Sequence, residues 1–289
     1  MSNTVYLNGQ FLPESEAKVS VFDRSFLYGD GFFETVRIHK GRPVFWPLHM
    51  SRMKSGATLY GYQFPVDWME LGFLAMELAK RNKIETGVLR VHLSRGVGVR
   101  GYSPKGATKP TLLMTVAPLK QQGFHHSPIE TMVSERVYLP LGDAITGFKS
   151  ASKLPQIIGS WEAAENGLGD CILLNSGGRI AECGSGNIFI RVGKKLITPS
   201  PAEGPVVGIL RTVLLNYCRL ARIPFLETKI SLAKLLAADE VFRTSSIGGI
   251  TPITKIHCGG TETSFELTAI VDLSVVIGLS IAEDSETPW

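Results

Sequence analysis

Two stretches near the start of the chain restrict its fold more than anything that follows. "VYLNGQFLP" (Val5 to Pro13) alternates around Asn8-Gly9, and Asn-Gly between two such runs is a strong short-range hairpin signal. "FFETVRIHKGRPVFW" (Phe32 to Trp46) gives a second hairpin, turning near Lys40-Gly41. Hairpins join antiparallel strands, whereas parallel neighbours need a long crossover between them. A chain that opens on two hairpins is therefore not a pure parallel sheet, and the alternation of strands and helices after them predicts an α/β (α+β) protein.

Helical spacing follows in "PLHMSRMKSGATLYG". A proline-started segment from Pro65 to Ile84 then sets Trp68, Leu71, Leu74, Ala75 and Leu78 on one face, which predicts an amphipathic helix. "GVLRVHLSRG" and "PTLLMTVAP" are strand-like and flank the glycine-rich "GVGVRGYSPKGATK". "LKQQGFHHSP" is polar without an apolar period, so a linker is expected there. That divides the chain into a small N-terminal domain (1–118), a linker (119–127) and a larger C-terminal domain (128–289). In the second half, strand "IETMVSERV" precedes a helix from about Pro155 to Glu165. A hairpin, "DCILLNSGGRIAEC", and the strands of "NIFIRVGKKLITP" come next, and the helix "ILRTVLLNYCRLA" opens directly after Gly208. Helix "LAKLLAAD", strand "EVFRTSS", a "GGITP" turn and a C-terminal helical segment complete the expected order.

Composition narrows the function classes. With 289 residues, 44% hydrophobic and 19% charged, the chain has ample material for a core. Its net charge of +4 is spread out apart from Lys80, Arg81 and Lys83, so it lacks the concentrated basic face that nucleic-acid binding needs. Cys171, Cys183, Cys218 and Cys258 show no C-x-x-C spacing and no accompanying histidine cluster, so no metal site is expected; His125 and His126 read as loop residues. The N-terminus lacks a signal-peptide layout, and no apolar run is long enough to span a bilayer. These readings lead to an expectation of a cytoplasmic protein with free thiols and no membrane partner.

Three local features carry chemistry, each beside an ordinary alternative. In "TGFKSAS", Lys149 sits among small residues with no charged neighbour from Ala144 until Lys153. A desolvated lysine is a good nucleophile towards an aldehyde, and the small residues leave room for a flat ring; a lysine snorkelling from a loop is the simpler local reading. In "AECGSGN", Glu182 ends a strand between apolar segments, placed either to pair with a buried cation or to sit solvated in a turn. In "GPVVGILRT", Gly208 precedes a helix, and the first amides, Ile209 and Leu210, together with the dipole make a ready phosphate site, although glycine before a helix is common. Thr244, Ser245 and Ser246 in "RTSSIGG" add hydroxyls at a strand end, and Arg52 adds a counter-charge. Taken together, the set describes an aldehyde-bearing, phosphorylated pyridine cofactor whose protonated ring acts as an electron sink.

The chain resembles the fold-type IV pyridoxal 5'-phosphate enzymes, which include D-amino-acid transaminases, branched-chain transaminases and aminodeoxychorismate lyases. The resemblance runs from about Val5 to beyond Pro252. It rests on "DRSFLYGDGFFETVR", "LHMSRM", "SRGVGVRGYSP", "GFKSASKL", "AECGSGNIF", "VGILR" and "RTSSIGGITP" in order. It implies a two-domain, D-amino-acid aminotransferase-like fold with the site between the domains, and a homodimer. Lys149 would hold the cofactor aldehyde and then shuttle the α-proton, and Glu182 would pair with the ring nitrogen. Arg52, the amides of Ile209 and Leu210, and Ser245 or Ser246 would bind the phosphate. The loop carrying Arg100 and Tyr102 would reach the substrate carboxylate of the neighbouring subunit's site, and Phe33 and Thr35 would line the pocket. The motifs look most like those of aminodeoxychorismate lyases, which release 4-aminobenzoate and pyruvate for folate synthesis; the alternative is a transaminase acting on D-amino acids, branched-chain amino acids or amines. Two positions depart from the pattern: many members carry asparagine where Ser152 stands and threonine where Leu210 stands.

Overall fold

The computed structural model describes residues 3–65, 67–119, 127–142 and 145–266, together with 273, 277–278, 280–281 and 283–284. The first hairpin forms as its turn chemistry requires. Strands β1 (Thr4–Leu7) and β2 (Gln10–Pro13) pair antiparallel, joined by Asn8 and Gly9, both at positive φ (47° and 94°). Positive φ at both central residues matches the right-handed strand twist. Helix α1 (Arg24–Tyr28) is capped by Asp23 and ends at Gly29, φ 69°. It leads into β3 (Gly31–His39), which folds back through Lys40-Gly41 onto β4 (Arg42–Pro43), only two residues long.

Helix α2 (Trp46–Leu59) follows, then α3 (Trp68–Arg81). The second of these begins later than its proline suggests, because Asp67 accepts from the amides of Met69 and Glu70 and sets the start. Leu71, Ala75 and Leu78 on its inner face are fully buried. With β5 (Gly87–Ser94) and β6 (Thr111–Pro118), the strands form a six-stranded sheet in the order β2-β1-β6-β5-β3-β4, antiparallel throughout. Trp46, Met50, Met53 and the inner face of α3 cover it.

The second sheet is mixed. Strand β7 (Ile129–Leu139) runs parallel to β8 (Asp170–Asn175), and the crossover between them contains helix α4 (Leu154–Glu165). A hairpin returns as β9 (Ile180–Cys183), and β10 (Asn187–Val192) and β11 (Lys195–Pro199) make another. Helix α5 (Ile209–Leu220) carries the chain to β12 (Phe225–Thr228), which lies parallel to β11. Helix α6 (Leu232–Leu236) leads to β13 (Glu240–Ser245), β14 (Gly249–Cys258) and β15 (Thr261–Ser264). The hydrogen-bonded order is β12-β11-β10-β13-β14-β7-β8-β9, with β15 on β14. Strand β9, at one end of this path, also packs on β10 and β11 towards the other end, so the sheet curls.

The segment expected as a "GGITP" turn is instead the start of β14. Pro252 stands opposite Phe242 within the β13–β14 pair, and pairing with β7 begins only at Ile253. Proline is tolerated there because that side of the strand has no ladder partner yet. The chain divides into two compact units: Met1–Gln122 with Phe148–Ser152 and Ser280–Trp289, and Gly123–Gly147 with Lys153–Leu279. The linker proposed over 119–127 lies, apart from its ends, outside the described residues, as do His125 and His126. No helix among the described residues is long and apolar enough to cross a membrane, and none of their side chains cluster as a metal site.

Candidate active site

In the first unit, Lys149 sits on an ordered edge. The Phe33 amide donates to the Lys149 carbonyl (2.9 Å), the Ala151 amide donates to the Gly31 carbonyl (2.8 Å), and Phe32 and Ser150 form an antiparallel bridge. The lysine segment thus occupies the edge of β3 that β5 leaves open. Two glycines permit this. A Cβ on Gly29 would press on Ser152 at 3.3 Å, and one on Gly56 would meet the Phe32 and Phe148 rings at 2.9 and 3.1 Å. The close approach of Gly29 gives the small Ser152 a physical reason. The half-buried Lys149 Nζ lies 4.8 Å from the centre of the Phe33 ring, so these two candidate residues come together.

Arg52, one helical turn after His49 on α2, is not a lone surface cation. Its Nε and Nη2 both donate to Glu34, at 2.8 and 2.5 Å, and His49 Nδ1 approaches the same carboxylate at 2.6 Å. Burial alone would raise the Glu34 pKa, but the Arg52 guanidinium and His49 outweigh it and hold the carboxyl at about 2. Burial lowers His49 despite Glu34, and the charges of Arg52 and Lys149 push the same way. Among the described residues, the buried His49 Nε2 has no hydrogen-bond partner. No local pattern marks Glu34 and His49; their signal lies in "ETVR" and "LHMSR", whose pairing depends on α2 packing on β3.

Thr35 pairs with Arg90 across β3 and β5, and the Arg90 guanidinium stands 3.9 Å over the Phe33 ring, its pKa lowered by burial. A cation thus flanks the ring that Lys149 also approaches. The loop after β5 carries Arg100 and Tyr102, both exposed, Tyr102 by 87%. Arg24, 3% exposed, grips that loop from beneath: Nη1 donates to the carbonyls of Gly101 and Ser103 and Nη2 to that of Tyr102, all at 2.9 Å. Its Nε donates to Asp30 (2.7 Å), which also binds Arg95 and the Tyr62 hydroxyl. Burial would raise Asp30, yet Tyr62, Arg24 and Arg95 lower it; burial and Asp30 push Tyr62 far up.

In the second unit, Glu182 is next to last in β9, 5% exposed. Its Oε1 accepts from the Gln156 side chain (3.0 Å) and its Oε2 from the Val206 amide (2.9 Å), both neutral donors. Gln156 and Val206 were also invisible in the sequence. Val206 belongs to the loop that ends at Gly208, the N-cap of α5, and no side chain caps that helix at Ile209 and Leu210. Asn187 pairs with Thr244 of β13, so the end of β13 lies alongside. Ser245 Oγ accepts from the Gly248 amide (2.9 Å), and Ser246 follows in the same turn; among the described residues the buried Thr244 Oγ1 has no partner.

These groups fit pyridoxal 5'-phosphate. The second unit presents an uncapped 12-residue helix start, an orphaned buried hydroxyl, and a carboxylate oriented by neutral donors that leave its charge uncompensated by them. The first offers a primary amine beside an aromatic ring.

Comparison with known proteins agrees. The model of the amino-transferase class IV family matches residues 31–256. A putative branched-chain-amino-acid aminotransferase of Methanocaldococcus jannaschii is 31% identical over 252 residues, 87% of each chain. Aminodeoxychorismate lyase of Bacillus subtilis is 30% identical over 255 residues, 88% of this chain and 86% of that one. In structure, a branched-chain aminotransferase from Thermoproteus uzoniensis superposes with a TM-score of 0.87 at 24% identity, covering 99% of this chain and 97% of that one. The chain belongs to the class IV aminotransferase family, with the fold-type IV architecture and the pyridoxal 5'-phosphate cofactor of that family.

Proposed function

We propose that the protein is a 4-amino-4-deoxychorismate lyase that releases 4-aminobenzoate and pyruvate. The observation that carries this reading is Arg90 over Phe33, beside the Lys149 amine: it supplies a cation for a substrate bearing a second carboxylate. The likeness to the Bacillus subtilis lyase over most of both chains supports it. A 2-keto-acid-dependent transaminase for D-amino acids, branched-chain amino acids or amines is the second reading, favoured by the Methanocaldococcus jannaschii relative.

When bound, the cofactor supplies an electron sink for the pair released as the substrate's α C–H bond breaks. Lys149 would hold the aldehyde and, once displaced by the substrate's amine, would take the α-proton at Nζ. Glu182 would keep a proton on the ring nitrogen. The Ile209 and Leu210 amides, Arg52, Ser245 and Ser246 would bind the phosphate, with Arg52 oriented by Glu34. Phe33 and Thr35 line the substrate side. Arg100 and Tyr102 serve the neighbouring subunit of a homodimer. Exposed apolar side chains around their loop, Val21, Phe22, Phe26, Val97 and Val99, suit burial against a second copy. The 1–118 and 128–289 division belongs to this reading, as does a cytoplasmic location, which suits four free thiols.

Two assays test it. Borohydride reduction of the purified, coloured enzyme should attach cofactor mass to a Lys149 peptide; a colourless protein with an unmodified peptide sinks the enzyme reading. Incubation with aminodeoxychorismate should yield fluorescent 4-aminobenzoate. Robust turnover of D- or L-amino acids with 2-oxoglutarate or pyruvate, and no 4-aminobenzoate, would establish the transaminase instead.

A further inference from the structure

The irregular segment before α5 is fastened by three separate pieces of chain. The Val206 amide donates to Glu182 Oε2 (2.9 Å), the Val206 carbonyl accepts from Asn187 Nδ2 (2.7 Å), and the Val207 amide donates to the Gly147 carbonyl (3.1 Å). The last two bonds hold one peptide unit, between residues 206 and 207, by its C=O and its N–H. A planar peptide gripped at both ends has its orientation fixed. Only a few backbone torsions separate it from Gly208 and the first amides of α5. Asn187 also touches the far end: a Cβ on Gly208 would collide with its Oδ1. Gly147, the third anchor, stands two residues before Lys149 in the chain.

From this arrangement we infer that residues 205–208 form a strap coupling the Glu182 carboxylate to the start of α5, with Asn187 as its positioning residue. The inference rests on the reading that Glu182 serves the cofactor's ring nitrogen and α5 its phosphate. Asn187 is 5% exposed, and its side-chain amide donates to the segment that links Glu182 to the start of α5. Glu182 grips the strap from one side and Asn187 from the other, so a displacement at either side is passed to the other through a single residue. Ring-nitrogen and phosphate recognition are thereby one adjustment, not two.

The test uses the holoenzyme and its resolved apoprotein. Binding of pyridoxal 5'-phosphate and of pyridoxal, which has the same ring without the phosphate, is measured for the native protein, Asn187→Ala, Glu182→Gln and the double variant. The visible absorbance of the bound cofactor is followed against pH. Losing a buried hydrogen bond of this kind weakens binding roughly tenfold. Asn187→Ala is expected to lower the affinity advantage of pyridoxal 5'-phosphate over pyridoxal about that much and to move the spectral titration. The Glu182→Gln effect should then be several-fold smaller in the Asn187→Ala background than in the native one. Independent, multiplying effects with an unmoved titration would overturn the strap while leaving the cofactor reading intact. Native affinity and spectrum in Glu182→Gln alone would overturn that reading instead. Asn187→Leu, which keeps the volume without the donor, repeats the measurement if Asn187→Ala does not fold.

Discussion

Glu34 and Glu182 are both buried glutamates close to candidate cofactor residues, one in each compact unit, and they are held in opposite ways. Glu34 is 1% exposed and held by the Arg52 cation through two nitrogens and by the His49 ring through a third. Glu182 is oriented by a side-chain amide and a backbone N–H. Neutral donors aim a carboxylate without neutralising it, whereas cations consume its field locally. The first arrangement builds a scaffold that orients Arg52. The second aims the carboxylate with neutral donors, which is what its proposed role beside the cofactor's ring nitrogen requires.

Exchanging each carboxylate for its amide is the strongest test of this contrast. Glu182→Gln should lower kcat by roughly 10²–10³-fold, the scale for removing a preorganised electrostatic partner, with little change in the denaturation midpoint. Glu34→Gln should destabilise the fold by about 3–5 kcal/mol, because it removes the buried carboxylate to which Arg52 and His49 are bonded, read by chemical denaturation. A native midpoint in Glu34→Gln would break the contrast.

Acid titration sharpens it. The Glu34 carboxyl is held at about 2 against an ordinary 4.5, so the unfolded chain binds its proton first as pH falls. Its stabilisation is complete above about pH 4.5 and is lost as pH drops towards 2, a contribution on the order of 3 kcal/mol. Subtracting the Glu34→Gln curve from the native one should leave a step in that window. A flat difference would show that the cluster does not stabilise the folded state.

Smaller effects are expected around the loop of Arg100. Arg24→Lys keeps the charge but cannot reach three carbonyls with one planar fork, so the substrate KM should rise roughly tenfold with the cofactor spectrum unchanged. Arg100→Ala should also raise KM; loss of cofactor in either variant would place the loop elsewhere in the mechanism. Smallest of all, Tyr62→Phe removes one hydrogen bond to Asp30 and should shift stability by about 1 kcal/mol in thermal melts.

What sequence reasoning reaches and misses follows the range of each interaction. Asn8-Gly9 and Lys40-Gly41 report their hairpins because the turn geometry is local. Strands β12, β14 and β15 carry no such local signal: Pro252 imitates a turn, and the parallel partner of β12 is supplied by β11 across the intervening helix. Lys149 and Glu182 are conspicuous for the company they keep in the chain. Their supports are not, since Gln156 stands 26 residues from Glu182 and Val206 stands 24 from it. Arg24 reaches carbonyls 77 to 79 residues away, and no local pattern announces a side chain whose partners are backbone atoms of a distant loop.

The edge position of Lys149 has a consequence in time. Its carbonyl and the neighbouring amide at Ala151 are bound into β3, so moving the backbone there means peeling a strand edge, a microsecond or slower event. The side-chain torsions alone remain fast, in the picosecond to nanosecond range. Under the proposed function, the Lys149 amine can therefore turn between successive proton positions many times per turnover, which would leave the clock of the enzyme to steps other than the swing of its lysine.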